Sequence, residues 1–263
     1  MAKQQSRGSI FWQGWLPLGV LGAVLLWMIL QGAGALNYTW QWERVPETLL
    51  IIDDEGVYPG NLLFGLGETL KISTLSIVLA LPVGVLLAGA QRSVFYSLRV
   101  PAYGFFSVVR NTPLLVQLYV FYFIFGPVMG LDRLWVAVGG LVAFQGAYLA
   151  PIILSGFDAI PKGQAEAAAA LGLGRVDVLL KVLFPQAIRI LLPALTNEAV
   201  NLIKNSALLS AVSIFEVVTE GKDIIADTFM SFEIWLTIGA LYLCINIPLS
   251  VAAQLLETKW RTA

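Results

Sequence analysis

Asn197, Asn201, Lys204 and Asn205 recur at three- and four-residue spacing along a charge-poor apolar run at about 190–215, with Leu208 continuing the line. That spacing puts them on one face of a helix, and Glu198 stands beside it. Polar groups at membrane depth are costly, so they face a cavity, a partner or one another. Such a stripe can bind a zwitterion, with a cation for its carboxylate and acceptors for its ammonium. It can equally be internal, its members neutralising and hydrogen-bonding one another to hold a helix bundle. Arg110 and Gln117 lie seven residues apart, on one face of another apolar run. Arg110 either lines a path or snorkels to the inner headgroups, and Gln117 is a candidate pore liner. Other chemistry is excluded by composition. There is no histidine and one cysteine, Cys244, which removes histidine catalysis, histidine–metal sites, zinc clusters and disulfide frameworks. A net charge of −1 leaves no basic footprint for nucleic acid.

The elements that position these residues follow from hydropathy. Hydrophobic residues make up 58% of the 263 and charged residues only 13%, about half of what a water-soluble domain carries. Six apolar runs long enough for a bilayer fall at 15–33, 62–90, 101–126, 134–157, 190–215 and 233–256, and all are expected to be helices, since lipid offers backbone groups no partner. With the N-terminus inside, the inner segments hold Lys3, Arg7, Arg92, Arg99, Lys162, Arg175, Lys181, Arg189, Lys259 and Arg261. The outer segments hold only Arg44, Arg133 and Lys222, a bias that places both termini in the cytoplasm. Lys3 and Arg7 before an apolar stretch ending at Ala33-Gly34-Ala35 also fit a cleaved signal peptide; retention as a span is the preferred reading, and either leaves residue 36 outside. The outer loop at 36–61, with Glu43, Glu47, Asp53, Asp54 and Glu55, reads as an acidic solvated loop. Glu68 and Lys71, one turn apart, suit an ion pair, while Gln145 and Tyr148 suit packing. Thr112 can satisfy backbone disturbed by Pro113, and Gly84, Gly89, Gly139 and Gly140 suit close helix contacts.

The inner loop at 158–185 is the most informative segment. Pro161 suits a helix start, the alanine run 167–170 is strongly helical, and Gly172 and Gly174 can end that helix in left-handed geometry. A second short helix is expected from Arg175 to Phe184, stopping before Pro185. Glu166-Ala167-Ala168, three residues, Gly172, nine residues and then Val182-Leu183-Phe184-Pro185 resembles the EAA loop of ABC importer permeases, departing only at Phe184, where leucine is usual. Gly67 to Ser73, Arg110 to Gln117, Gly146-Ala147-Tyr148, Ile160 to Gln164, Pro185-Gln186-Ala187, Asn197-Glu198 and Leu202 to Ser206 are together similar to the polar amino-acid permeases, over about residues 62–256. After Gly146-Ala147-Tyr148 that family carries an acidic residue and then an arginine, where this chain has Pro151 and Leu154.

The resemblance implies an all-α, polytopic membrane bundle of six transmembrane helices: a five-helix permease core, one N-terminal helix, and a cytoplasmic coupling helix. It divides the chain into an N-terminal helix and outer loop (1–61), a transmembrane domain with its EAA loop (62–256) and a cytoplasmic tail (257–263). It assigns ATPase coupling to Gly163, Glu166, Ala167, Ala168, Leu171 and Gly172, while the polar residues placed within the spans, Arg110, Gln117, Asn197, Glu198, Asn201, Lys204 and Asn205, are the candidates for a substrate path. The implied partners are a dimeric ABC ATPase, a second permease subunit, identical or similar, a periplasmic or surface-tethered amino-acid-binding protein, and membrane lipid. The chain would bind no cofactor itself. No GxxxxGK[ST] phosphate loop occurs in it, so ATP and Mg would belong to the partner. The implied location is the bacterial inner membrane. A secondary carrier or channel is the competing class; a membrane-embedded enzyme would need a nucleophile–base or metal constellation that these residues do not supply.

Overall fold

A computed structural model describes residues 19–24, 27, 28, 31, 38–54 and 56–261, with side chains up to residue 255. The chain packs as two units, 1–41 and 42–263. In the first, residues 19–24, 27, 28 and 31 are helical, with Val20, Leu21, Val24, Trp27 and Met28 exposed. The rest of the expected 15–33 span, with Lys3, Arg7 and Ala33-Gly34-Ala35, lies outside the described residues, as does Glu55.

The second unit opens with a 3-10 turn, Trp42–Arg44, and a short helix α1 (Val45–Leu49). An antiparallel hairpin follows, β1 (Leu50–Asp53) and β2 (Gly56–Pro59), pairing Ile51 with Tyr58 and Ile52 with Val57. The segment expected as an acidic solvated loop therefore contains the one sheet among the described residues. Its β-branched and aromatic residues favour extended backbone.

α2 (Asn61–Gln91) spans about 46 Å at 1.5 Å per residue, more than the apolar thickness of a bilayer. It buries Leu62, Thr69, Ile72, Ser73, Ser76, Ala80, Gly84 and Ala88 along one stripe. Most of that stripe packs on α5 (Arg133–Asp158), which Asp132 caps by accepting from Trp135 N at 3.0 Å. Small residues set the approach: a Cβ at Gly84 would lie 2.7 Å from Leu149 Cβ, and one at Gly146 2.6 Å from Val83 Cγ1. Gly140 meets Leu118 closely, and Gly139 makes an ordinary contact with Phe121. Gly89, expected to pack in the same way, faces open space. Gly84 meets Leu149 and Arg92 pairs with Asp158, so α2 and α5 run parallel.

The expected single span at 101–126 is instead two helices, α3 (Tyr96–Asn111) and α4 (Leu114–Met129), bent by 113°. Pro113 supplies no N–H and drives Thr112 into extended backbone (φ −117°, ψ 141°), which ends α3. Gln117 spans the break, its Nε2 donating to Val109 O (2.8 Å), Thr112 O (3.0 Å) and Thr112 Oγ1 (2.9 Å). Thr112 Oγ1 donates in turn to Val108 O.

α6 (Lys162–Ala170) leads to α7 (Arg175–Val212). The short helix expected to stop before Pro185 continues into α7. A π-helical stretch, Val178–Leu183, closes with Phe184 N bonded to Leu179 O, and this wider ladder admits the proline ring that would clash with the preceding turn of an α-helix. α7 ends as a 3-10 helix, Ser206–Val212, at left-handed Ser213 (φ 52°). α8 (Val217–Thr228) and α9 (Ser231–Arg261) complete the unit. Among the described residues, four helices are long and apolar enough to cross a membrane, and a fifth if α3 and α4 count as one span. The chain is a helical membrane protein, with the hairpin a minor departure from all-α.

Candidate functional site

Glu198 on α7 and Gln145 on α5 form the polar centre of a cleft of about 350 Å3. Apart from Thr196, its other walls are apolar: Ile77 and Leu81 from α2, Leu149 from α5, and Ile188, Leu192 and Leu195 from α7. Buried Gln145 donates through Nε2 to Glu198 Oε2 at 2.8 Å, so it does more than pack. Asn201 Nδ2 reaches the other carboxylate oxygen, Oε1, at 3.5 Å. Lys204 lies beyond this pair, and no ion pair joins it to Glu198 among the described residues.

The rest of the stripe turns away from the bundle. Val200, Leu202, Ile203 and Leu209 fill the interior, while Asn197, Asn201, Lys204 and Leu208 are exposed and Asn205 is half-buried. In hydrocarbon such a face would carry a penalty of several kcal/mol. A water-filled path or a second protein must therefore cover it.

Arg110 and Gln117, expected on one helical face, stand on different helices because the chain breaks between them. Arg110 lies over the rings of Phe106 (5.1 Å) and Tyr148 (5.2 Å). The Gln117 amide nitrogen is committed to the break.

At the other end of α5, the Arg92 guanidinium pairs with Asp158, where the chain enters α6. α6 begins after Pro161 and is closed by two reversed hydrogen bonds, Gly172 N to Ala169 O (2.9 Å) and Leu173 N to Ala168 O (3.2 Å). This Schellman closure needs a left-handed residue, and Gly172 supplies it at φ +83°. Gly174 is extended instead and precedes the first turn of α7. Ala168 holds α6 to the bundle, while Gly163, Glu166, Ala167, Leu171 and Gly172 are exposed. Leu171 is 84% exposed, with exposed Val176, Leu179 and Leu180 on the following turns. The segment presents a small-residue helix with an apolar rim.

One group was missed by the sequence reading. Glu216 is fully buried at the start of α8 and accepts from Thr219 N at 2.8 Å and Thr219 Oγ1 at 3.3 Å. Burial pushes its carboxyl up to about 7, against the opposing pull of the Val218 and Thr219 hydrogen bonds and of Lys222. Its signal in the sequence is a lone acid inside the otherwise uncharged run Leu208 to Val218, followed three residues later by a threonine. Glu68 and Lys71 form the expected ion pair at 3.1 Å.

Residues 80–262 match the family model described as the inner membrane component of binding-protein-dependent transport systems. The chain belongs to that family. The matched region takes in most of the cleft, all of α6 and the polar stripe. Similar members include a putative glutamine transport system permease of Rickettsia bellii, 33% identical over 73% of this chain and 88% of its own length. An octopine transport system permease of Rhizobium radiobacter is 32% identical (74% and 84%), and an arginine transport system permease of Bacillus subtilis 33% (76% and 93%). Among solved structures, an amino acid ABC transporter crystallised with histidines superposes with TM-score 0.69 at 31% identity, over 75% of this chain and 93% of that one. The MetNI methionine ABC transporter shares the fold, with TM-score 0.63 at 22% identity over 76% and 95%. Like its relatives, this family member is a transport permease.

Proposed function

We propose that this chain is the membrane-spanning permease subunit of an ATP-driven ABC importer for polar amino acids. The exposure of α6 carries the reading: a helix of small residues, closed by a left-handed glycine and rimmed by exposed leucine and valine, is shaped to enter a groove of another protein. In this reading Gly163, Glu166, Ala167, Ala168, Leu171 and Gly172 couple the chain to a dimeric ATPase, which holds ATP and Mg; the permease itself binds no cofactor. The Arg92–Asp158 pair supports it, since it ties the end of α2 to the start of the coupling segment.

The exposed face of α7 meets a second permease subunit, identical or similar, across the translocation path. Glu198, in its cleft with Gln145, accepts the substrate ammonium, and Lys204 and the asparagines 197, 201 and 205 provide for the carboxylate. Arg110 and Gln117 shape the path indirectly, through the ring stack and the break. A periplasmic or surface-tethered binding protein delivers the amino acid from outside. The glutamine, octopine and arginine permeases among the relatives support a polar amino-acid substrate. The N-terminal helix is retained as a sixth span before the outer loop (1–61), the transmembrane domain covers 62–256, and the 257–263 tail is cytoplasmic, as is the N-terminus, in the bacterial inner membrane. Co-expression with candidate ATPases tests this: uptake should require ATP and fail in Glu166→Lys and Gly172→Asp. Normal assembly and transport in both variants would remove the coupling assignment.

A further inference from the structure

Glu216 lies where α7 ends and α8 begins, and four elements close around it. Its own helix binds Oε1 through Thr219. α2 supplies Thr69, whose Oγ1 accepts from Val217 N (3.1 Å) and donates to Gly65 O (3.0 Å). α7 supplies Ser206, and α9 supplies Tyr242, whose hydroxyl faces Glu216, Ser206 and Thr69. Glu216 Oε2 and Tyr242 OH are both buried, and neither has a hydrogen-bond partner. The surroundings are otherwise apolar, with Val217, Ile234 and Ile238 packed alongside. Lys222 on α8 is the one charge that acts on the carboxylate among the described residues, and its Nζ is held by Ser210 O and Oγ.

The junction that Glu216 pins has the form of a hinge. Seven residues of 3-10 helix, Ser206–Val212, are longer than such helices usually run, and left-handed Ser213 follows them. A non-glycine residue stays in that backbone region only where its surroundings hold it.

We propose that Glu216 and Tyr242 form a proton-dependent latch, in which the neutral carboxyl bonds Tyr242 through Oε2 and ties the α7–α8 junction to α9. Both are positioning residues, since they set where the junction sits and touch no substrate. An ionised Glu216 would leave a charge in an apolar shell, and the junction would open to hydrate it. The folded chain holds the proton up to about pH 7, whereas an exposed glutamate releases it near 4.5. The latch is therefore at full strength below 4.5, weakens as pH rises from 4.5 to about 7, and is released above that.

Hydrogen exchange of segment 206–219 tests this in the whole chain reconstituted in lipid nanodiscs, between about pH 5 and about pH 8, after correction for the intrinsic pH dependence of exchange. Protection should fall across this range in the wild type and stay level in Glu216→Gln. A level wild-type profile, or an equal fall in Glu216→Gln, would overturn the latch. Should that variant fail to accumulate, Tyr242→Phe decides. Losing the hydroxyl removes the bond that the neutral carboxyl makes, so protection at about pH 5 should drop to the level the wild type shows at about pH 8, and a wild-type profile contradicts the proposal. None of these readouts requires transport, so the latch and the transport reading fail separately.

Discussion

Gln145 and Glu198 meet across 2.8 Å between α5 and α7, inside a cleft whose walls are otherwise almost wholly apolar. The bond holds two spans together and, in the proposed function, also keeps a carboxylate where the substrate ammonium would meet it. These roles separate by substitution. Glu198→Gln keeps a hydrogen-bonding group beside Gln145, so the thermal midpoint should barely move while amino-acid uptake falls at least about tenfold, the equivalent of ~1.4 kcal/mol. Glu198→Ala should also destabilise the chain by about 1–3 kcal/mol, because buried Gln145 loses its partner. Uptake rates and unfolding midpoints of the two variants check this.

Gly172 closes α6 at φ +83°. A Cβ there strains the left-handed turn by about 1–2 kcal/mol. Because α6 is largely exposed, Gly172→Asp should still accumulate in membranes at wild-type levels while ATPase stimulation by substrate is lost. Membrane abundance and stimulated ATP hydrolysis, measured side by side, distinguish lost coupling from lost folding.

Gly146 and Gly89 should respond oppositely to the same change. A methyl group at Gly146 meets Val83 in the tight α2–α5 contact, so Gly146→Ala should cost about 1–3 kcal/mol. Gly89 faces open space, so Gly89→Ala should be neutral or stabilise α2 by up to about 1 kcal/mol. Thermal unfolding in detergent gives both values.

Gln117 bonds both sides of the break between α3 and α4. Gln117→Leu leaves the Val109 and Thr112 carbonyls without that donor and should destabilise the chain by about 1–3 kcal/mol. Distances between spin labels on α3 and α4 should broaden in the variant. A wild-type distribution would mean that Pro113 alone sets the bend.

Hydropathy sufficed for the spans of α2, α5, α7 and α9, because a bilayer demands long apolar helices whatever their neighbours. Helix breaks were harder to read. Thr112-Pro113 ends a helix, yet Pro185 is absorbed in one, and the difference lies in whether the preceding turn can widen into a π ladder, which depends on packing. Gly172 was legible because left-handed closure is local; Gly89 was not, because its neighbours are tertiary. In the candidate site, the residues of the α7 stripe were visible from their spacing, but the partner of Glu198 was not. Gln145 lies on another helix, 53 residues away. Glu216 escaped notice for the same reason: only the fold brings Thr69, Ser206 and Tyr242 around it.

Reconstitution of the permease with its partner ATPase in proteoliposomes, with a labelled polar amino acid and its binding protein outside, tests the central claim most directly. Accumulation should require ATP on the side that α6 faces, persist when ion gradients are dissipated, and vanish in Glu166→Lys. Accumulation that proceeds without ATP and collapses with the ion gradient would contradict it and make the chain a secondary carrier.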